Sequence, residues 1–270
     1  MNLAIAAIRK VAVALLRATE RDITVKNPWT GDRLLLNSFR HKGYWFRGKQ
    51  RERATMEMLG KLLRPGDLVI EAGAHIGFVT QWMAKIVGPS GRVVAFEPGS
   101  QNGRDVAANV AGHPTIVLET APFSDSVAEA TFFEENVTGQ NNSLNPTYEA
   151  PERNAKALGI RLEVTQRTVM TTTVDEYVRS RLAACPQFLK IDTEGFEAQV
   201  LAGAQQTLRG VRSLMLEVTE GKQDEIGRIL RQHGFSLLTE EGQPVPQLSG
   251  DFLGNVFAVR DRPISAAVQR

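Results

Sequence analysis

The sequence predicts an α/β fold in which a mostly parallel sheet carries helices on both faces. Three observations favour this class. From Asp67 onward, short runs rich in Val, Ile and Leu alternate with segments of helical period. A glycine-rich turn follows the first run, and later runs end in carboxylates. The last two apolar runs have no helix between them, which predicts an antiparallel pair at one edge of the sheet.

The first half of the predicted sheet holds three strands. "DLVIEAG" is the first strand and "FVTQWMAKI" the helix after it. "RVVAFEP" is the second strand, followed by a helix around "RDVAANVAG", and "TIVLETA" is the third strand. The alternation then breaks over residues 125–170, where the strand-like runs "EATFFEE" and "RLEVTQRTVM" flank the polar loop "TGQNNSLNP". We interpret this stretch as an insertion.

The second half resumes the alternation. "TTVDEYVRSRL" predicts a helix with Thr172 or Thr173 as its N-cap, and "QFLKID" predicts the fourth strand. "EAQVLAGAQQTLRG" predicts a single helix that ends at Gly210. "SLMLEV", "DEIGRILRQHG", "FSLLTE" and "NVFAVR" then predict a strand, a helix and the two final strands.

The N-terminal stretch "MNLAIAAIRKVAVALLRATERD" predicts an amphipathic helix that packs on the domain or on a partner subunit. A helix on a membrane surface is the alternative, because the two apolar runs are too interrupted to cross a bilayer. We expect a helical or extended extension over residues 1–60, one domain over 61–262 and a tail over 263–270.

Composition excludes few classes but narrows the setting. The chain of 270 residues is 42% hydrophobic and 23% charged, as is usual for a globular protein with a sizeable core. A formal charge of +2 is too small to favour a nucleic-acid surface. One cysteine, Cys185, excludes an intramolecular disulfide and favours a reducing, cytoplasmic compartment. The four histidines lack metal-ligand spacing, so no metal is expected.

Residues with chemical potential stand at the predicted strand ends, where open α/β sheets bind ligands. Gly73 and Gly77 in "EAGAHIG" allow a tight turn, which either brings the backbone close to a ligand or is only structural. Glu97 ends the second strand, where a carboxylate can accept hydrogen bonds from both ribose hydroxyls or can be an ordinary exposed acid. Ser124 and Asp125 follow the third strand and could contact an adenine edge or form an ordinary turn.

The fourth strand ends in a denser group. Lys190 and Asp192 are two residues apart, so their side chains point to the same face of the strand. Asp192 and Glu194 could hold a ligand ammonium, take up a proton or cap the following helix. Glu217 lies in the apolar run "LMLEV", where burial requires a partner or a role. His75 is either a ligand contact or a structural histidine.

The segments "VIEAGAHIGFVT", "VVAFEPGS", "LKIDTEGFEAQVLAGA" and "LMLEV" resemble the FkbM family of class I S-adenosylmethionine-dependent methyltransferases, over about Pro65 to Arg260. The resemblance implies a Rossmann-like sheet of strand order 3-2-1-4-5-7-6, S-adenosylmethionine as cofactor and O-methylation of a sugar, glycan or small natural product. The chain departs from the family pattern at Glu71, His75 and Thr219, where Asp, Asn and often His are usual.

The resemblance also implies roles for individual residues. Asp192 would contact the methionyl ammonium or the acceptor, and Asp192 and Glu194 would take the acceptor's proton, with Lys190 and Glu217 in reserve. The polar loop "TGQNNSLNP" could contact a hydroxyl-rich acceptor, although a plain surface loop is the simpler interpretation. The residues expected to bind the cofactor are Glu71, Gly73, Ala74, His75, Gly77, Glu97, Pro98, Ser124, Asp125 and Asp192.

Three other functions stay open at the level of sequence. One is an RNA ribose 2′-O-methyltransferase, which the weak net charge does not favour. The second is a nicotinamide-dependent oxidoreductase with the same kind of glycine turn, and the third is a non-catalytic cofactor-binding module. The expected partner is a small-molecule or glycan acceptor and not nucleic acid. Residues 1–20 could contact a membrane or a partner, and a homo-oligomer is left open.

Overall fold

The computed structural model describes residues 3–250 and 252–260, with side chains from residue 11 onward. A short 3₁₀ turn, Gly48–Gln50, lies among its helices and strands. In chain order the elements are α1 (Leu3–Ala18), β1 (Asp22–Lys26), β2 (Arg33–Asn37), α2 (Lys42–Phe46), α3 (Arg53–Leu62), β3 (Leu68–Ala72), α4 (Phe78–Val87), β4 (Arg92–Phe96), α5 (Ser100–Val110), β5 (Ile116–Glu119), β6 (Glu129–Glu135), α6 (Ala150–Leu158), β7 (Val164–Met170), α7 (Val174–Arg181), β8 (Phe188–Ile191), α8 (Glu197–Ala202), α9 (Thr207–Gly210), β9 (Ser213–Val218), α10 (Gln223–Gln232), β10 (Ser236–Leu238) and β11 (Gly254–Val259).

The central sheet has seven strands in the order β10-β11-β9-β8-β3-β4-β5. Strands β9, β8, β3, β4 and β5 are parallel neighbours, whereas β11 runs antiparallel to both β9 and β10. Numbered along the chain within this sheet, the order is 3-2-1-4-5-7-6. The predicted fold and the antiparallel pair at the edge are therefore confirmed.

The sheet is buried on both faces because its strands carry apolar residues at successive positions. In β3, Ile70 faces a cluster that includes Leu230 of α10, while Val69 faces a second cluster with Met56 of α3 and Met83 of α4. Each fully buried side chain of this size stabilises the fold by about 1.5–3 kcal/mol. The two clusters keep the strand ends fixed relative to one another, and the site is built on those ends.

The N-terminal extension combines helices with a hairpin of β1 and β2. Leu34 and Leu36 of β2 are buried in the same cluster as α3, so this part of the chain packs on one face of the sheet. On α1, Val11 and Leu15 are exposed. Within the described ranges, no helix combines the length and apolar character that a membrane span requires. The predicted limits of extension, domain and tail stay predictions, as do contacts of residues 1–20.

Two local predictions differ from the structure. The helix predicted over residues 197–210 is two helices, α8 and α9, because Asp175 of α7 forms hydrogen bonds with the backbone at the break between them. Its backbone N–H donates to Gly203 O, and its carboxylate accepts from the N–H groups of Gln206 and Thr207 at 2.8 and 2.7 Å. The insertion contains a helix, α6, that was not predicted between the antiparallel strands β6 and β7. The N-cap of α7 is Thr173, as predicted, since its side chain accepts from Glu176 N.

Candidate active site

A cavity of about 310 Å³ opens beyond the carboxyl ends of β3, β4 and β8. Its volume lies at the lower end of the range usual for small-molecule sites. Predicted site residues from all three strand ends line it. They are Glu71, Gly73, Ala74, His75, Glu97, Pro98, Lys190, Asp192 and Glu194, together with Glu217.

Three predicted residues lie outside the cavity lining. Gly77 has φ 82° and is the N-cap of α4, where a Cβ atom would lie 3.1 Å from Val106 Cγ2. Ser124 is buried, and its backbone N–H donates to Thr172 O at 2.8 Å, whereas Asp125 is exposed and accepts from Ser124 Oγ. An adenine contact by Ser124 or Asp125 stays a prediction, and the preceding Phe123 lines the cavity instead.

Glu97 is held in the cavity by backbone donors. Its Oε2 accepts from His75 N at 2.7 Å, and its Oε1 accepts from Gly99 N at 2.9 Å and from Asn102 Nδ2 at 3.3 Å. Burial raises the pKa of Glu97 to about 7, and these hydrogen bonds oppose the rise. The carboxyl group is thus oriented before any ligand binds, in the place where a ribose-binding acid was predicted.

Lys190 connects the glycine turn to Asp192. Its Nζ donates to Gly73 O at 2.8 Å and to Asp192 Oδ2 at 3.1 Å, and it lies 3.5 Å from Glu71 Oε1. Burial lowers the pKa of Lys190, but the carboxylates of Asp192 and Glu71 outweigh burial and raise it. Lys190 is therefore a buried cation. The glycine turn passes very close here, because a Cβ on Gly73 would lie 1.9 Å from Asp192 O.

Three carboxyl groups lie close together in the cavity. Oxygen atoms of Asp192, Glu194 and Glu217 all lie within 4.8 Å of one another. Burial, then repulsion from Asp192 and Glu197, raises the pKa of Glu217 to about 9, and its buried Oε2 has no hydrogen-bond partner among the described residues. Burial, followed by Glu217 and Asp192, raises the pKa of Glu194 well above its usual value. Such a group can hold protons or a cation, so the expectation of no metal stays a prediction.

The turn that carries Glu194 is held by its own helix. Glu197 at the start of α8 is fully buried, and its Oε1 accepts from Thr193 N at 3.0 Å and Gly195 N at 3.1 Å. Its Oε2 also accepts from Thr219 Oγ1 at 3.3 Å. Thr219, which departs from the family pattern, thus contacts the acid that holds the turn. These hydrogen bonds fix the shape of the turn that presents Glu194 to the cavity.

The insertion holds the same turn from the other side. Ser143 Oγ donates to Glu194 O at 2.8 Å, Asn145 Nδ2 donates to Gly195 O at 3.4 Å, and Tyr148 OH donates to Glu194 Oε2 at 2.5 Å. The polar loop is therefore more than a plain surface loop, because it docks on the turn. Sequence reasoning did not identify Tyr148, although a tyrosine two residues after a polar loop that was suspected of ligand contact is a usable signal.

The N-terminal extension closes another wall of the cavity with residues that sequence reasoning also missed. Tyr44 OH lies 3.1 Å from His75 Nδ1, and the Arg51 guanidinium lies 4.4 Å from the centre of the Tyr44 ring. Arg51 Nε pairs with Glu52 Oε1 at 3.0 Å. Burial lowers the pKa of His75 to about 3, so its ring is neutral. The signal in the sequence was the dense aromatic and basic run "YWFRGKQRE".

Backbone strain is concentrated at this cavity. Within residues 3–250 and 252–260, the non-glycine residues with positive φ are Glu52, His75 and Glu194, at 53°, 51° and 56°. All three line the cavity although they come from separate parts of the chain. Left-handed backbone at such residues costs on the order of 1–3 kcal/mol each and is typical of functional sites.

The charges of the cavity suit S-adenosylmethionine. Its described lining includes six carboxyl groups and two permanent cations, Arg51 and Lys190. A donor with a sulfonium and an ammonium would meet compensating charge there, and the oriented Glu97 carboxyl is suited to ribose hydroxyls. Aromatic side chains at Phe96, Phe123 and Phe132 offer an apolar surface for a base.

Comparisons with known proteins identify the family of the chain. Residues 71–237, more than half of the chain, match the model of the methyltransferase FkbM domain. The chain is 28% identical over 223 residues to 31-O-demethyl-FK506 methyltransferase FkbM of Streptomyces tacrolimicus, covering 74% of this chain and 84% of the relative. It is also 28% identical over 233 residues to the antimetabolite synthetase AmbE of Pseudomonas aeruginosa, covering 74% of this chain but 11% of that much longer protein.

Solved structures are similar at lower identity. Methyltransferase FkbM from Methylobacillus flagellatus is 12% identical with a TM-score of 0.43, and 79% of this chain covers 60% of that one. Fibrillarin of Aeropyrum pernix, crystallised with S-adenosyl-L-methionine, is 13% identical with a TM-score of 0.44, covering 88% and 89% of the two chains. From the family match, the chain belongs to the FkbM family of S-adenosylmethionine-dependent methyltransferases.

Proposed function

We propose that this methyltransferase transfers a methyl group to a hydroxyl oxygen of a sugar, glycan or small natural product. The observation that carries the proposal is the carboxyl cluster of Asp192, Glu194 and Glu217 in the same cavity as Glu97. A hydroxyl loses its proton as its oxygen gains the methyl group, so an O-methyltransferase benefits from a carboxylate beside the acceptor. The similarity to a 31-O-demethyl-FK506 methyltransferase supports the same class of acceptor atom.

Each part of the cavity has one task in this proposal. S-adenosylmethionine supplies the activated methyl group when bound. Glu97 orients the donor through its ribose, and Asp192, fixed by Lys190, meets the methionyl ammonium. Glu194 accepts the acceptor's proton, and Glu217 holds its own proton nearby because its pKa is raised. Lys190 is a buried cation and supports Asp192 instead of acting as a base. Positioning then provides most of the acceleration.

The charge of the cavity disfavours RNA as the acceptor. The cations in the described lining are Arg51 and Lys190, and both already pair with carboxylates, so neither is available to phosphate groups. A neutral or cationic hydroxylated compound needs no such cations. No structural observation favours the oxidoreductase or the non-catalytic module, so a single function is proposed.

Donor binding is tested through Glu97. We expect S-adenosylmethionine to raise the melting temperature of the wild-type protein, and Glu97→Ala to abolish the rise, because ligands that bind only the folded state stabilise it. The matched control is Glu119→Ala, which changes a carboxylate at the end of the adjacent strand β5, outside the cavity lining. No rise at millimolar donor, or an undiminished rise in Glu97→Ala, would contradict the assignment.

Acceptor class is tested by turnover. Formation of S-adenosylhomocysteine is measured with a panel of sugars, glycans and macrocyclic polyols, and with RNA as the competing acceptor class. The proposal expects turnover with a hydroxylated small molecule or glycan, and none with RNA. Turnover confined to RNA would refute the proposed acceptor.

A further inference from the structure

The insertion supplies one side chain to the proton-accepting side of the cavity. Tyr148 precedes α6 and lines the cavity together with Glu194, 46 residues away in sequence. Its hydroxyl donates to Glu194 Oε2, and its ring lies against the Gly195 backbone, where a Cβ atom would come 3.0 Å from Tyr148 Cδ2. The ring and the hydroxyl therefore contact the same turn at two adjacent residues.

The contacts around Glu194 leave its carboxyl group little freedom to move. Its backbone is in the left-handed region, fixed by Glu197 on one side and by Ser143 on the other. With the main chain fixed, the remaining freedom is rotation of the side chain, and the hydrogen bond from Tyr148 to Oε2 removes it. Oε1 receives no hydrogen bond from Tyr148 and is left for another donor, such as an acceptor hydroxyl.

We propose that Tyr148 is a positioning residue for methyl transfer, which holds the Glu194 carboxylate in the orientation that receives the acceptor's proton. The inference rests on the proposed function, since it uses Glu194 as proton acceptor. The acceptor O–H bond breaks as its oxygen bonds to the methyl carbon, the proton passes to Glu194, and the methyl–sulfur bond breaks to leave the thioether. Tyr148 keeps its own proton throughout.

The charged surroundings of Glu194 explain why such a donor is needed. Glu217 from β9, Asp192 from the preceding turn and Glu197 from α8 all disfavour its ionised form, in addition to burial. The hydrogen bond from Tyr148 is the opposing influence and lowers the pKa of Glu194. Lys190 and Glu52 act on the same cluster through Glu217, with opposite signs. Without the tyrosine hydroxyl, a smaller fraction of Glu194 would be ionised near neutral pH.

The chain offers a matched control for this contact. Tyr177 of α7 also donates its hydroxyl to a glutamate, Glu119 Oε1, at 2.8 Å, and neither residue lines the cavity. Tyr148→Phe and Tyr177→Phe therefore remove the same chemical contact from two places. Both variants keep the aromatic ring, so packing is retained in each.

The first test measures the titration of Glu194 in the absence of any acceptor. Full-length protein labelled with ¹³C at glutamate side-chain carboxyls is titrated by NMR, and Glu194→Gln assigns the signal. The titration midpoint of Glu194 should move to higher pH in Tyr148→Phe and stay in place in Tyr177→Phe. An unchanged midpoint in Tyr148→Phe would overturn the inference. The stabilisation by S-adenosylmethionine should equal that of the wild type in both variants.

A second readout uses turnover with an acceptor found in the hydroxylated panel. In Tyr148→Phe, kcat near pH 7 should fall roughly tenfold, with the acidic limb of the pH profile moved to higher pH and the donor KM unchanged. A uniform loss at every pH would show a merely structural role and overturn the inference. If no acceptor is methylated but the NMR midpoint moves, the proposed function fails while the Tyr148 contact with Glu194 stands, so the two failures are distinguishable.

Discussion

At the scale of the residue, the site depends on Lys190, a fully desolvated cation that faces two carboxylates and one carbonyl. The sequence placed Lys190 and Asp192 on one face of a strand through the two-residue period, and the structure brings both to the cavity. The sequence could not show that Lys190 also contacts Glu71 and Gly73, because these contacts depend on which strands are neighbours in the sheet. The chain positions involved are far apart in sequence but neighbours between β3 and β8.

Removal of this cation should be costly. Lys190→Met leaves Glu71 buried beside an apolar side chain, so we expect a loss of about 3–5 kcal/mol in the free energy of unfolding, measured with urea at pH 7. Glu71→Gln added to Lys190→Met should restore part of that stability, since it removes the uncompensated charge. Lys85→Met, at an exposed lysine on α4, is the control and should change stability by less than about 0.5 kcal/mol. Equal stability of Lys190→Met and the wild type would refute this role.

At the scale of the element, strands were easier to predict than what joins them. The apolar runs of β3, β4, β8 and β9 mark buried strands directly, because a parallel sheet covered on both faces leaves no polar side. Helix α6 was missed although Pro151 and Gly159 mark its ends, since the polar loop before it suggested continuing irregular chain. The break between α8 and α9 was invisible, because it depends on Asp175, which comes from another helix.

The cap formed by Asp175 can be tested apart from the cavity. Its carboxylate accepts three hydrogen bonds, from Gln206 N, Thr207 N and Thr207 Oγ1, near the start of α9. Asp175→Ala should lower the free energy of unfolding by about 1–2 kcal/mol and leave donor binding unchanged. Asp224→Ala, an exposed acid in the first turn of α10, serves as control with a smaller change. A loss of donor binding without a loss of stability would contradict this division.

At the scale of the whole molecule, the cavity is assembled from three parts of the chain. The sheet contributes the predicted residues, whereas Tyr44, Arg51 and Glu52 come from the N-terminal extension and Tyr148 from the insertion. The residues that the sheet contributes could be predicted from the sequence, because parallel strands bring their carboxyl ends to one edge. The rest could not be predicted, because neither the extension nor the insertion has a periodic pattern that fixes where it docks.

This assembly gives the ligand-free protein a characteristic pH dependence. Burial raises the pKa of Glu97 to about 7 and of Glu217 to about 9 from 4.5, so the folded state binds more protons than the unfolded state and stability falls as pH rises through this range. Burial also lowers the pKa of His41 to about 2 and of His75 to about 3 from 6.5, which has the opposite effect below pH 6.5.

We therefore expect the free energy of unfolding to fall between about pH 7 and pH 9, where Glu217 titrates in the folded state and the two histidines are mostly neutral in both states. Urea unfolding at several pH values checks this. Glu217→Gln should flatten the fall above pH 7, whereas Glu119→Gln, outside the cavity, should not. Stability that rose over this range in the wild type would contradict the burial of these carboxyl groups.

The surplus of carboxyl groups over cations also bears on what happens after transfer. The methyl donor enters with a positively charged sulfur, and the spent donor leaves with a neutral one. Those of the six carboxyl groups in the described lining that are ionised attract the first more strongly than the second. Methyl transfer thus removes part of the attraction that held the donor, and the reaction itself promotes exchange of used cofactor for fresh.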